Sequence, residues 1–317
     1  MKPEILQLNP ILVPSINDRL DALYTMRRYY EQDDKDAYIR EFGPRIRGVI
    51  TGGHTGIGRA LMAQLPALGI VAVNGVGTDA VDLAYARERG IPVTGTFGAL
   101  TEDVADMALG LMLAVCRNLC TVDRFVRDGM WVRHPQPGAI PLARRLSGMR
   151  VGIVGMGRVG RAVAARAAGF GCAIAYADLA PIDSLPWRFV GELQRLAEDS
   201  DMLVLCAAAD KAEGIVDAKI LRALGSGGYL VNVARGRLVN ETDLVHALQT
   251  GVIAGAGLDV FVDEPHVPAA LIGMEQVVLQ AHRASATIES RTAMGEMVLD
   301  SLADALAGRR PENSLTT

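Results

Sequence analysis

The sequence predicts an α/β fold built on parallel sheets, and three observations carry that prediction. Short runs rich in Val, Ile and Leu alternate with helix-period stretches along most of the 317 residues, the arrangement of βαβ units. Several of these runs lack polar alternation, as strands buried on both faces do. At about 150 residues per domain, the length asks for roughly two domains, each able to bury a core.

Composition narrows the class further. Half of the residues are hydrophobic, 21% are charged, and 34 Gly and 14 Pro are spread along the chain, as in a packed globular protein. The formal charge of -4 and the lack of any Lys/Arg block speak against nucleic acid as a partner. Cys116, Cys120, Cys172 and Cys206 form no CxxC pair and lie in apolar stretches, where cysteine behaves as a small hydrophobe. Met1 to Pro10 lacks the pattern of a secretory signal, and the longest apolar run, Val104 to Cys116, contains Asp106 and is shorter than the ~20 residues of a membrane span. A cytoplasmic location with no membrane partner is expected.

Strands are expected at Gly48 to Ile50, Ile70 to Val73, Arg150 to Val154, Ala173 to Ala177, Met202 to Cys206, Tyr229 to Val233, Ala256 to Val260 and Val277 to Leu279. A long helix opens at Thr101 as N-cap, with Glu102 and Asp103 where the helix dipole favours acids. Its apolar positions Val104, Met107, Ala108, Leu111, Met112, Val115 and Leu119 recur at three and four residues, and Cys116 and Cys120 fall on one face. The Pro/Gly/Arg-rich stretch His134 to Gly148 reads as a connecting loop.

Two glycine motifs follow apolar runs. In VGIVGMGRVG, Gly155, Gly157 and Gly160 form GxGxxG between a strand and a helix expected from Arg158 to Phe170, and the next strand ends at Asp178. That context specifies a dinucleotide fold. Gly155 allows the tight turn, Gly157 lets the backbone approach a pyrophosphate, Gly160 permits close helix packing, and the helix N-terminus offers N–H groups to the anion. Asp178 stands where a carboxylate accepts the adenosine ribose hydroxyls and repels a 2′-phosphate, so NAD is expected over NADP. The second motif, TGGHTGIG from Thr51 to Gly58, has the form of the short-chain dehydrogenase cofactor turn, but no tyrosine in the chain is followed four residues later by lysine. It is expected to bind no phosphate.

In open parallel sheets ligands bind beyond the carboxyl ends of the strands. Arg235 follows YLVNVA, Asp259 and Glu264 lie within and after AGLDVF, and His282 follows QVVLQA. An arginine, carboxylates and a histidine would project from neighbouring strand ends. His54, His134, His246 and His266 have no comparable setting.

Six segments in this order, NGVGTDAVDL (Asn74 to Leu83), LTEDVADMALGLMLAVCR (Leu100 to Arg117), VGIVGMGRVG, NVARG (Asn232 to Gly236), GAGLDVFVDEP (Gly255 to Pro265) and AHRASAT (Ala281 to Thr287), resemble the D-isomer-specific 2-hydroxyacid dehydrogenases. The likeness runs from about Gly48 to Asn313 and is strongest to the glyoxylate/hydroxypyruvate and hydroxyphenylpyruvate reductase branch. The resemblance implies two Rossmann-like doubly wound domains, with an NAD-binding domain (100–284) inserted into a flavodoxin-like substrate domain (1–99 and 285–317). It implies that Arg235 holds the substrate carboxylate and polarises the keto oxygen, that His282 donates the proton and that Glu264 pairs with His282. Arginine's planar fork matches a carboxylate, and a carboxylate beside an imidazole stabilises its protonated form. Asp259, Val233, Ala234, Arg158 and Val159 are implied to join the glycines and Asp178 around NAD(H). The backbone N–H groups of Val76 and Gly77 would clamp the substrate carboxylate, with Gly52 and Gly53 near the substrate.

The resemblance further implies a homodimer through an arm of the NAD-binding domain, in or beside which Trp131, Arg133 and Arg144 lie. The chain departs from many relatives in having Ala281 before the histidine and Arg283 after it, Arg283 either contacting an extended or acidic substrate or bonding only to its loop. Formate and phosphoglycerate dehydrogenase-type activities, and a non-catalytic NAD-sensing protein, are the competing readings. Glu264 in place of the glutamine of formate dehydrogenases argues against the first. The substrate expected is a small 2-keto acid, namely glyoxylate, hydroxypyruvate or an aryl-pyruvate, and no metal is expected.

Overall fold

A computed structural model describes residues 2–208 and 212–316. They divide into two units, Met1–Leu100 with Ala286–Thr317, and Thr101–Ser285. Both are α/β with wholly parallel named strands.

In the first unit β1 (Glu4–Gln7), β2 (Thr25–Arg28), β3 (Ile46–Thr51), β4 (Val71–Val73) and β5 (Val93–Thr94) lie in the order β2-β1-β3-β4-β5, the flavodoxin order. Alternation divides the strand side chains between two cores. Leu6, Val49, Val71 and Val73 pack with Met62 and Leu65 on one face. Ile5, Ile50 and Ala72 pack on the other with Ile16 and Leu20 of helix Pro14–Leu23 and with Val298, Leu299 and Leu302 of helix Ile288–Leu306. Gly48 permits that second layer: a Cβ there would lie 3.0 Å from the Leu302 side chain. The last residues return to the sheet edge, where Leu315 N donates to Val93 O and Thr316 Oγ1 bridges Val93 N and Ile91 O.

The second unit holds β6 (Arg150–Val154), β7 (Ala173–Ala177), β8 (Arg188–Phe189), β9 (Met202–Leu205), β10 (Tyr229–Asn232), β11 (Gly255–Leu258) and β12 (Val277–Leu279), ordered β12-β11-β10-β9-β6-β7-β8. Counted from β6 this is the 3-2-1-4-5-6 order of a Rossmann sheet with one further strand. Helix Thr101–Cys116 lies on β11, whose glycines admit it: a Cβ on Gly257 would meet Leu111 Cβ at 3.0 Å, and one on Gly255 would meet Val115 at 3.0 Å.

Three local expectations are corrected here. Thr101 is the first residue of its helix rather than its cap. The helix ends at Cys116, because Asn118 adopts a left-handed φ of 55°, and the chain bends by 63° into a separate helix, Leu119–Arg127. Leu119 is therefore 51% exposed instead of continuing the apolar stripe, and Cys116 is buried while Cys120 is exposed. Burial pushes the thiols of Cys116 and Cys172 up, and that of Cys206 to about 12. Among the described residues no single helix is both long and apolar enough to cross a membrane. The stretch from His134 to Gly148 is loop apart from one three-residue turn, Pro137–Ala139.

One polar cluster ties the strand starts of the first unit. The buried Glu4 carboxylate accepts from Arg27 Nε and Arg45 Nε, each at 2.7 Å, and both guanidinium groups lie over the Phe42 ring. Burial alone raises a carboxyl's pKa, but these hydrogen bonds outweigh it and hold Glu4 below its ordinary value of 4.5. The stabilisation is therefore present above that value and is lost as pH falls through the folded-state value. Glu4→Gln is expected to cost about 1.5–3 kcal/mol at pH 7. The difference from wild type should shrink at pH 3.5 in urea denaturation; an equal gap at both pH values would rule out the charged pair as its source.

Candidate active site

The glycine turn of the second unit is shaped for a dinucleotide. Gly155 has φ +89°, and a Cβ there would strike Ala207 Cα at 2.4 Å; one on Gly160 would lie 2.0 Å from Gly155 O. Gly157 is different. It caps helix Arg158–Gly169 without a side-chain hydrogen bond, and a Cβ placed on it meets nothing within 4 Å. The helix N-terminus thus opens onto space beside a bare backbone, which fits a pyrophosphate. Arg158 and Val159 form the first helical turn. Phe170 ends the helix as its C-cap, and Gly171 has φ +77°. At the end of β7 the Asp178 carboxylate accepts from Met156 N at 2.7 Å and Leu179 N at 2.7 Å, which fixes it against the glycine turn.

Three of the four glycines in the other motif pack directly against protein. A Cβ on Gly52 would meet the Asn9 amide at 3.0 Å, one on Gly53 would meet Gly77 O at 2.8 Å, and one on Gly56 would meet Ala80 O at 2.0 Å. These three glycines serve close approach of loops, while Gly58 caps the short helix Arg59–Ala63 with nothing within 4 Å of a Cβ placed on it. The same contacts bring Gly53 against the turn that carries Val76 and Gly77.

The strand ends of the second unit bring Glu264 and His282 together. His282 Nδ1 lies 2.8 Å from Glu264 Oε2 and 3.1 Å from Oε1, and Oε1 also accepts from Phe261 N at 3.0 Å. Both side chains are half-buried. His282 has φ +51°, one of two non-glycine residues with positive φ among those described. This costly conformation is held by Asp259. Asp259 O accepts from His282 N, and its carboxylate accepts from Arg283 N at 2.8 Å and Ala284 N at 3.0 Å. Burial pushes the Asp259 carboxyl up, against the pull of those two N–H groups. Asp259 thus supports the histidine turn, a task the sequence reading did not give it. Arg283 bonds Asp259 through its backbone, and the residue is exposed.

Arg235 follows β10 in a turn stapled by Asn232. Asn232 Nδ2 donates to Arg235 O at 2.9 Å, and its Oδ1 accepts from Ala234 N at 3.0 Å, while Val233 N donates to Leu205 O. Any cofactor contact from Val233 and Ala234 therefore falls to groups other than their N–H. A Cβ on Gly236 would come within 1.9 Å of Phe261 C, so this glycine lets the arginine turn lie directly on the loop leading to Glu264. Glu241 also supports that loop by accepting from Val262 N at 3.2 Å. Asn232, Gly236 and Glu241 were not anticipated; the adjacency of Gly236 to Arg235 was the one available signal.

Of the residues near the expected arm, Trp131 is 62% exposed, as are Val132 and Leu142 to a greater degree. Arg144 is fixed within its own unit, donating to Gly227 O at 2.6 Å.

Residues 109–284 match the family model of the D-isomer specific 2-hydroxyacid dehydrogenase, NAD binding domain. The chain is 43% identical to the 2-ketogluconate reductase of Gluconobacter oxydans (strain 621H), over 95% of this chain and 94% of the relative. The solved 2-hydroxyacid dehydrogenase of Ketogulonicigenium vulgare Y25 superposes with a TM-score of 0.91 at 41% identity, covering 100% of this chain and 99% of that one. An NADPH-dependent glyoxylate/hydroxypyruvate reductase of Sinorhizobium meliloti, solved with NADP and malonate, gives 0.89 at 37% identity, covering 99% and 97%. With an open glycine turn, a carboxylate-held histidine and an arginine at adjoining strand ends, and with these likenesses spanning nearly the whole chain, the protein belongs to the D-isomer-specific 2-hydroxyacid dehydrogenase family.

Proposed function

We propose that the protein reduces a small 2-keto acid, such as glyoxylate, hydroxypyruvate or an aryl-pyruvate, to the D-2-hydroxy acid with NADH as cofactor. The observation that carries this reading is the His282–Glu264 pair, 2.8 Å apart, on a turn that Asp259 holds in place. Bound NADH supplies the hydride that the 2-carbon accepts. Arg235 binds the substrate carboxylate and draws electron density toward the keto oxygen. Glu264 takes His282 Nδ1, so Nε2 carries the proton that passes to that oxygen. Glu264 also balances the imidazolium charge before transfer. In the oxidative direction His282 takes the proton back.

The preference for NADH is supported by Asp178, whose carboxylate, fixed by two backbone N–H groups, would repel a 2′-phosphate. The Sinorhizobium relative, by contrast, is NADPH-dependent and was solved with NADP. Exposed Trp131, Val132 and Leu142 support a homodimer through the segment that carries them.

NADH oxidation across a panel of 2-keto acids tests the activity directly, and turnover of none of them would refute it. His282→Ala should lower kcat by about 10²- to 10⁴-fold with little change in NADH binding; near-normal turnover would remove His282 as the acid. kcat/KM should be at least about tenfold higher with NADH than with NADPH, a 1.4 kcal/mol discrimination by Asp178; parity would show that Asp178 does not select the cofactor. Gly236→Ala, by forcing the Arg235 turn off the Glu264 loop, is expected to cost about 10²-fold in kcat/KM. The NADH Kd should stay within about threefold, and unchanged kcat/KM would show that the close approach is dispensable.

A further inference from the structure

The proposed acid His282 is oriented by Glu264, and Glu264 is itself tied to the loop that leads to it from β11. Its Oε1 accepts from Phe261 N, three residues back in that loop, so the aim of the carboxylate at His282 depends on where the loop stands. Gly236 allows the loop to come close, since a Cβ there would lie 1.9 Å from Phe261 C, but a glycine contact permits an approach without holding it. Glu241 supplies the hold. Its Oε1 accepts from Val262 N at 3.2 Å, so consecutive N–H groups of one turn, those of Phe261 and Val262, end on two different carboxylates.

Glu241 stands on a fixed base. It opens helix Glu241–Gln249, whose N-cap Asn240 accepts from Asp243 N at 3.2 Å and donates its own N–H to Val216 O at 2.9 Å. Asp243 Oδ2 accepts from Ala218 N at 2.9 Å, and Leu244, Ala247 and Leu248 are buried in the core of the second unit. The segment that ends at this helix begins with Arg235, whose carbonyl accepts from Leu238 N at 3.2 Å. The arginine turn and the Glu264 loop are thereby referred to one base.

An acid in the first turn of a helix needs no partner to be favourable, because the helix dipole alone welcomes it. Glu241 instead reaches an amide 21 residues away in sequence. That amide belongs to Val262, a residue 52% exposed, so water can replace the carboxylate at small cost in stability. Water cannot fix the loop to the helix. The worth of this bond therefore lies in placement, and it is realised where geometry matters most, in the meeting of a proton donor with its carboxylate.

We propose that Glu241 is a positioning residue for the reduction, holding the loop before Glu264 so that the Glu264 carboxylate meets His282 Nδ1. It acts through Glu264 and not on the substrate, and the proposal rests on the 2-keto acid reading above. With NADH and glyoxylate or hydroxypyruvate, Glu241→Ala should lower kcat about 10- to 30-fold. Both KM values should stay within about threefold and the melting temperature within about 3 °C of wild type. Glu241→Gln, whose amide oxygen still accepts from Val262 N, should keep at least about half of wild-type kcat. On a Glu264→Ala background, where the group being aimed is gone, Glu241→Ala should cost less than about twofold more. Wild-type kcat in Glu241→Ala, an equal loss in Glu241→Gln, a full further loss on the Glu264→Ala background, or a larger fall in melting temperature would each overturn the role. A readout independent of turnover is the low-field proton resonance of His282 Nδ1–H on Glu264, identified by its absence from His282→Ala. It should be lost or moved upfield in Glu241→Ala and kept in Glu241→Gln; an unchanged resonance in Glu241→Ala would overturn the role. Turnover of no 2-keto acid by the wild type would overturn the functional reading, and the resonance would then decide by itself whether Glu241 aims the pair.

Discussion

The candidate site depends on one buried carboxylate. Asp259 stands at the end of β11 with both oxygens committed to backbone N–H groups of the turn that follows β12. That turn carries His282 in a left-handed conformation that a side-chain-bearing residue adopts only when its surroundings impose it. Once the turn is fixed, His282 Nδ1 falls on Glu264, and Glu264 in turn anchors Phe261 N. The imidazole is thereby oriented by a chain of hydrogen bonds that begins in the sheet. The penalty for burying Asp259, seen in its raised pKa, is the cost of that orientation.

Two glycine-rich turns in one chain show how similar letters serve opposite ends. Around Gly52, Gly53 and Gly56 the absent side chains are replaced by Asn9, Gly77 and Ala80. Around Gly157 the absent side chain is replaced by nothing. That arrangement leaves the N-terminus of the helix Arg158–Gly169 facing open space, whereas Gly58 of the other motif opens only onto the five-residue helix Arg59–Ala63. The distinction lies in what surrounds a glycine, which no motif records.

Much of the second unit was legible. The bounds of β6, β7 and β12 agree with the sequence reading because buried parallel strands are uninterrupted apolar runs closed by turns. In the first unit β1 and β2 escaped it. EILQ buries a glutamate and a glutamine whose environments lie outside the segment, and TMRR is a polar edge strand. The two-residue strands β5 and β8 are too short to show any period. At the site, Arg235, Glu264 and His282 could be read because each follows an apolar run. Gly236 and Glu241 could not, since they act where separate loops touch, and Asn232 could not because it staples its own turn through bonds to residues two and three positions on. The break at Asn118 was hidden because its flanking residues keep helical spacing across it.

The path of the chain through the first unit has a consequence for its birth. The five strands of that sheet are complete by Thr94, yet the face carrying Ile5, Ile50 and Ala72 is covered by a helix that begins only at Ile288, and the edge at Val93 is paired by Leu315. A chain emerging from the ribosome therefore has only helix Pro14–Leu23 to cover that apolar face until the entire second unit has followed it. That second unit is continuous and draws on no residue outside 101–285 for its own sheet. Its folding can finish first, and the first unit closes around residues made after it, an order of assembly imposed by connectivity alone.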